Sequence, residues 1–321
     1  MSEDPNAIAV IIAAYKAERV IGRAIRSALA QPEAQEIIVV VDGSPDGTAE
    51  AARACDDGSG RLKVLEQKWN RGPSAARNAA IAATTSPWIT VLDDDDFMSA
   101  GRLGRLLESA GGYDFIADDL LLAQEGAEHG HCTPMWFTQQ PDSPETITLS
   151  SFVSANCPDP TRPRRELGFL KPLMRRAFLY KHALFYDETM RLGEDYDLYA
   201  RGIAAGGRFA LMAAQGYVAV RRADSLSGNH GAKELLGLRA SDDRLLRSPA
   251  LTRQDRKIIR RHRLTTDKRY QWQRLIDAVN ARNPIEAAAC FGSDLTTSLH
   301  LAGNLLEQAW VRAFPGRVRE A

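Results

Sequence analysis

The chain has 321 residues, 44% of them hydrophobic, and its 41 basic and 41 acidic side chains cancel to a formal charge of zero. That length holds one large domain with an appendage, and a neutral chain has no overall field with which to recruit nucleic acid. Cys55, Cys132, Cys157 and Cys290 are scattered, which excludes a zinc ribbon or a dense disulfide framework and reads as reduced thiols in a cytoplasmic protein.

Residues 7–13 form a continuous apolar run, the pattern of a strand covered on both faces. Residues 20–29 carry apolar side chains at helical spacing. Residues 36–41 are β-branched and apolar, and Asp42-Gly43-Ser44-Pro45-Asp46-Gly47 closes them as a turn. An Ala-rich helix over 48–55, a short strand over 62–65 and a second Ala-rich helix over 74–84 follow. Next, the apolar residues 88–92 run into Asp93-Asp94-Asp95-Asp96. Alternation of this kind predicts parallel strands joined by right-handed crossovers, hence an α/β, doubly wound sheet.

Residues 126–163 are rich in Pro, Ser, Thr and His and predict loops and short strands, where an acceptor would be met. Regularity returns at 173–182 and in a helix over 194–205 that opens on acidic residues, as suits a helix dipole. Beyond Asp224 the composition shifts, and 232–246, 252–262, 267–280, 284–291 and 295–314 read as helices. The predicted organisation is a catalytic domain over 1–228, with a nucleotide-binding half (1–125) and an acceptor-binding half (126–228), and a helical extension over 229–321. No apolar run approaches the roughly 20 residues that span a bilayer, and the acidic N-terminus lacks the pattern of a secretory signal.

Carboxylates crowded at the end of a strand repel one another unless a cation neutralises them. Tyr15, Asp42, the acidic run and Gly193-Glu194-Asp195 all fall where the C-terminal ends of parallel strands converge on one crevice. An aromatic ring, an isolated carboxylate and a metal-binding acidic group there suit a nucleotide diphosphate: the ring stacks on the base, Asp42 accepts from a base N–H, and the cation bridges the phosphates.

Five ordered segments carry a resemblance: 10–15, 39–48, Asn70-Arg71-Gly72-Pro73-Ser74-Ala75-Ala76-Arg77-Asn78, 91–96, and Gly193-Glu194-Asp195-Tyr196-Asp197-Leu198. Together the chain resembles inverting glycosyltransferases of family 2, with the GT-A fold, over residues 7 to about 228. The resemblance implies that Ala14, Tyr15 and Asp42 hold the uracil of a UDP-sugar, and that Asp93, Asp94 and Arg222 lie on the donor. It implies that Asp93 and Asp95 match the family's Asp-x-Asp and hold Mn or Mg, Asp95 as the more direct ligand and His230 as a further one, and that Asp195 is the general base. Val41 stands where many relatives have a second acid beside Asp42. Arg77 either touches the donor or braces the nucleotide loop.

No Gln-x-x-Arg-Trp sequence follows Asp195, so the resemblance implies addition of a single sugar, in the layout of bacterial exopolysaccharide enzymes that pass a glucosyl residue to a lipid-linked oligosaccharide. Two other readings stay open. A sugar-phosphate nucleotidyltransferase also places carboxylates at a sheet edge but normally has a Gly-rich loop after the first strand, which residues 13–18 lack. A non-catalytic nucleotide-sugar-binding or scaffold protein would have no need of Asp195. The basic residues of 253–269 read either as a solvated helix face or as a peripheral contact with the inner membrane face. Leu301, Leu305, Leu306 and Trp310 read either as core or as a membrane-facing stripe.

Overall fold

A computed structural model describes residues 4–124, 132–136, 143–158, 165–221 and 231–313. Arg222 and His230 lie outside them. The first half alternates as the periodicity predicts: β1 (Ile8–Ala14), α1 (Ile21–Leu29), β2 (Ala34–Asp42), α2 (Thr48–Arg53), β3 (Leu62–Gln67), α3 (Pro73–Ala83) and β4 (Trp88–Val91). There follow β5 (Phe97–Met98), α4 (Arg102–Glu108), β6 (Phe115–Gln124), β7 (Thr133–Pro134), β8 (Glu145–Ile147), α5 (Leu149–Ala155), β9 (Leu173–Arg175), α6 (Arg176–Lys181), α7 (Glu194–Ala204) and β10 (Phe209–Arg221). The chain ends in helices α8 (Ala232–Leu246), α9 (Arg253–Asn280), α10 (Pro284–Ala289) and α11 (Leu295–Ala313).

The sheet runs β3-β2-β1-β4-β9-β6-β10-β5. Neighbours β1, β2, β3 and β4 are parallel, as are β6 and β10, while the short β9 is inserted antiparallel between β4 and β6. The continuous apolar runs have the expected cause: both faces are buried. In β1, Ala9 and Ile11 face one apolar layer, and Ile8, Val10 and Ile12 face the other. One layer holds α1 and α4 residues such as Ile21, Ile25 and Leu103. The other holds α5 and α7 residues such as Phe152, Leu198 and Tyr199. Leu238 and Leu245 of α8 and Ile259 of α9 belong to this second layer, so these C-terminal helices complete the catalytic core.

Several elements differ from the sequence reading. Residues 149–155 are helical, started by a reciprocal capping box between Thr148 and Ser151. Residues 252–262 and 267–280 are one helix, α9; the intervening Leu264, Thr265 and Thr266 include no breaker, and the Thr265 hydroxyl donates back to the Arg261 carbonyl at 3.0 Å. The long strands β6 and β10 carry no clear period in the sequence. β6 carries two buried carboxylates, Asp118 and Asp119, and β10 is broken by an irregularity between Met212 and Tyr217, where the amides of Gln215 and Tyr217 donate to Asp118.

Candidate active site

Strand register brings the ends of β1, β2 and β4 to one edge: Ala14 pairs with Val41, and Ile11 with Val91. The chain then leaves the sheet in three loops that meet. The Tyr15 amide donates to the Asp94 carboxylate at 3.2 Å, tying the first loop to the acidic run. Tyr15 itself is 41% exposed, an open ring at the crevice.

Asp42, buried at the end of β2, accepts from the amides of Arg71 (2.8 Å) and Gly72 (2.7 Å), one on each carboxylate oxygen. The loop before α3 is thereby pinned to the sheet edge. Gly43 makes room for it: φ is +62°, and a Cβ there would lie 2.5 Å from backbone atoms of Trp69 and Asn70. Asp42 thus has a structural partner on each oxygen, in addition to any base N–H it accepts.

Arg77, on α3 and 6% exposed, joins the acidic run to α7. Its guanidinium lies 3.0 Å from Asp93 Oδ1, 2.9 Å from Glu194 Oε1 and 3.4 Å from Asp195 Oδ1. Of the two roles open for Arg77, the ion pairs supply the bracing one. Its pKa stays well above the ordinary value, because the Asp195 and Asp93 charges outweigh the cost of burial.

A residue the motifs did not flag completes the cluster. Lys171, 5% exposed, places Nζ 2.9 Å from Asp195 Oδ2 and 3.1 Å from Asp93 Oδ2. Burial works against the ammonium, but the Asp195 and Asp93 charges hold it protonated, above the lysine range. Its carbonyl accepts from Arg102 at 2.7 Å, and Arg102 is itself fully buried against Asp118 at 2.6 Å. Burial would raise the Asp93 carboxyl, yet Lys171 and Arg77 outweigh it and hold Asp93 below the usual carboxylate range.

The last of the four acids behaves differently. Burial, then the Asp93 and Asp95 charges, push Asp96 up to about 8. It accepts from the Tyr217 hydroxyl (2.9 Å) and the Val220 amide (2.8 Å), while the Asp93 amide donates to the same Tyr217 oxygen at 3.1 Å. Asp96 therefore anchors the run to β10.

Asp195 sits one residue into α7. The helix starts at Gly193, whose φ of +73° and 2.8 Å clearance from Leu238 Cδ1 to a notional Cβ require glycine. Behind it, Tyr196 donates to Asp242 (3.0 Å), which pairs with His262 (2.8 Å), and Asp197 accepts from Ser241 (2.6 Å) and Arg244 (2.9 Å). Helices α8 and α9 so fix the helix that presents Asp195. The Tyr186 hydroxyl is held far above its ordinary pKa by burial and by the Asp195 charge.

Asp93 has a cation on each oxygen, and the described residues hold no group of three or more metal-ligating side chains. That donor set does not suit an all-protein cage. Mg and Mn are usually bound through one or two carboxylates together with substrate phosphates, an arrangement that needs no such cage.

The family model for glycosyl transferase family 2 matches residues 9–191. The chain belongs to that family. Among relatives of this family 2 glycosyltransferase, it is 47% identical over 279 residues to succinoglycan biosynthesis protein ExoU of Rhizobium meliloti (strain 1021), covering 86% of this chain and 80% of that protein. Among solved structures it resembles S. aureus TarS 1-349 in complex with UDP-GlcNAc, with a TM-score of 0.64 at 15% identity over 88% of this chain and 90% of that one. It also resembles the mannosyltransferase PcManGT of Pyrobaculum calidifontis in complex with GDP-Man and Mn2+, with a TM-score of 0.56 at 16% identity over 95% and 82%. The fold is that of GT-A glycosyltransferases, here with a helical C-terminal region.

Proposed function

We propose that this glycosyltransferase moves one sugar, a glucosyl residue, from a UDP-sugar to a hydroxyl of a glycan or lipid-linked oligosaccharide during exopolysaccharide synthesis, with inversion of configuration. The observation that carries the reading is the juxtaposition of Asp195 with the acidic run: two buried cations, Arg77 and Lys171, each touch both Asp93 and Asp195. The residue that would take a proton is thus locked at a fixed distance from the residues that would meet the donor. The ExoU relative supports the exopolysaccharide setting, and the UDP-GlcNAc complex of the TarS neighbour supports a UDP-sugar donor.

In this reading Tyr15 stacks on the uracil and Asp42 accepts from it. Asp94 and Asp93 line the donor, with Arg222 closing over the diphosphate. Asp95, with His230, would hold Mn or Mg, whose charge stabilises the departing UDP. Asp195 accepts the acceptor's hydroxyl proton at Oδ1, the oxygen with the longer 3.4 Å cation contact, as the hydroxyl oxygen attacks the anomeric carbon and the bond to UDP breaks on the opposite face. General-base catalysis of this type contributes roughly 10² to 10⁴ in rate.

The test is UDP release by the purified chain over a panel of UDP-sugars, with Mn, Mg or EDTA, in the wild type and Asp195→Asn. Metal-dependent release from one donor, lost in the variant with donor affinity kept, is the expected result. Absence of UDP binding overturns the reading. Release that persists in Asp195→Asn removes the base, and nucleotide binding with no turnover on any acceptor favours a non-catalytic sugar-nucleotide protein.

A further inference from the structure

We infer that the C-terminal helices form a docking surface for a lipid bilayer with anionic headgroups, through an apolar face of α11 set beside a row of cations on α9. The helix α11 is apolar on two opposite sides. Thr297 and Leu301 are fully buried, and Leu301 packs with Leu275 of α9 and Cys290. On the other side Leu295 (76% exposed), Leu299 (64%), Leu306 (72%) and Trp310 (46%) recur at intervals of four, seven and four residues, one stripe along nearly the whole helix. Ala302, Gly303 and Ala309 fill in the same side, so it carries no charge. A contiguous exposed apolar stripe of this length marks an interaction surface.

The identity of the occupant follows from α9. Its buried side changes along its length: Ile259 and His262 face the catalytic core, whereas Leu275 packs with Cys290 and Leu301. Arg261, Lys268 and Leu275 are spaced seven apart, hence on one side of the helix. The side of α9 that receives α11 therefore continues, toward its N-terminus, as the exposed cations Arg253, Lys257 and Arg260, with Arg261 beside them donating to the Pro158 carbonyl at 2.9 Å. Burial and the Lys268 charge together push His300 of α11 below its ordinary pKa. By contrast Arg256 and Arg263 turn inward, to the Leu246 and Ser248 carbonyls and to Asp243.

Packed helices lie about 8–10 Å apart, so the outer face of α11 stands forward of the cation row by about that much. Helices that lie in a membrane interface sink roughly 5–10 Å into the headgroup boundary. With α11 at that depth, the arginine and lysine stems reach the phosphates on long flexible arms. A second protein copy would bring the same row of cations against itself, whereas an anionic leaflet complements it. The surface is separate from the acidic crevice, so the inference stands whether or not the donor and acceptor are those proposed above.

Flotation of the full chain with phosphatidylcholine vesicles, with and without phosphatidylglycerol, tests it, with Trp310 fluorescence as a second signal. Binding to the phosphatidylglycerol vesicles, weakened by salt and reduced about tenfold or more by Leu299→Glu/Leu306→Glu and by Arg253→Glu/Lys257→Glu/Arg260→Glu, is the expected result. Both variants alter exposed side chains and should keep the wild-type melting temperature and UDP affinity. No binding to either vesicle overturns the inference. So does a concentration-dependent dimer that Leu306→Glu dissociates, since the stripe would then be an interface between copies.

Discussion

The Lys171 ammonium lies 2.9 Å from the Asp195 carboxylate, and the lysine is buried with it. Deleting one partner of a buried pair leaves the other charge uncompensated, at a cost of about 3–5 kcal/mol. Lys171→Met should therefore lower both stability and turnover. Lys171→Arg keeps the charge and should recover most of the stability but only part of kcat, because a planar guanidinium cannot meet Asp93 and Asp195 in the ammonium's geometry. Thermal melts set beside kcat and KM for the donor check this, and a wild-type kcat in Lys171→Met would refute it.

Gly43→Ala should be far more damaging than Gly58→Ala, although both glycines have positive φ (+62° and +78°). A Cβ at Gly43 drives into the Trp69–Asn70 backbone, while one at Gly58 meets nothing within 4 Å. We expect a loss of roughly 2–4 kcal/mol at Gly43, against about 1–2 at Gly58. UDP affinity should fall only in the former, where the loop held by Asp42 is displaced; denaturant melts and calorimetric titration with UDP separate the two.

Glu36 gives a pH signature remote from the crevice. Burial would raise its carboxyl, but hydrogen bonds from Ser86, Thr84 and Lys63 lower it to about 2. A depressed carboxylate contributes stability that is complete above its unfolded value of about 4.5 and is lost as pH falls toward 2. Discounted for its partial solvent contact, the contribution is on the order of 1–2 kcal/mol. Glu36→Gln should flatten the melting temperature between those two pH values and leave the steeper loss from other carboxylates in place.

A chain ending at residue 228 should fail to fold as a soluble domain. It lacks Leu238, Leu245 and Ile259, which complete one apolar layer, and it strips Tyr196 and Asp197 of their α8 partners. Expression of 1–228 beside the full chain, with far-UV circular dichroism and gel filtration, tests this; a monomeric, folded 1–228 would show that the extension is dispensable to the core.

What the sequence discloses follows from how local each signal is. The first four strands read clearly because both faces are apolar, and Asp42, Asp93 and Asp195 stood in ordered motifs that the structure brings to one edge or its cation cluster. β6 was hidden because Asp118 and Asp119 sit inside it, serving Arg102, the β10 amides and the Trp136 amide rather than solvent. Lys171 was invisible for a related reason: an isolated lysine in an apolar stretch has no spacing to mark it, and its partners are 24 and 78 residues away. The division of the α9 cations into inward and outward sets exists only because α9 is one helix, capped at Thr252 and Asp255 and free of any breaker up to Asn280.

Within the described cluster, Asp93, Glu194 and Asp195 against Arg77 and Lys171 leave one negative charge in excess. A nucleotide diphosphate approaching this edge is an anion entering a field of its own sign. On the proposed reading, donor and divalent cation would arrive there as one neutralised particle, and nucleotide affinity should then track the concentration of free divalent ion.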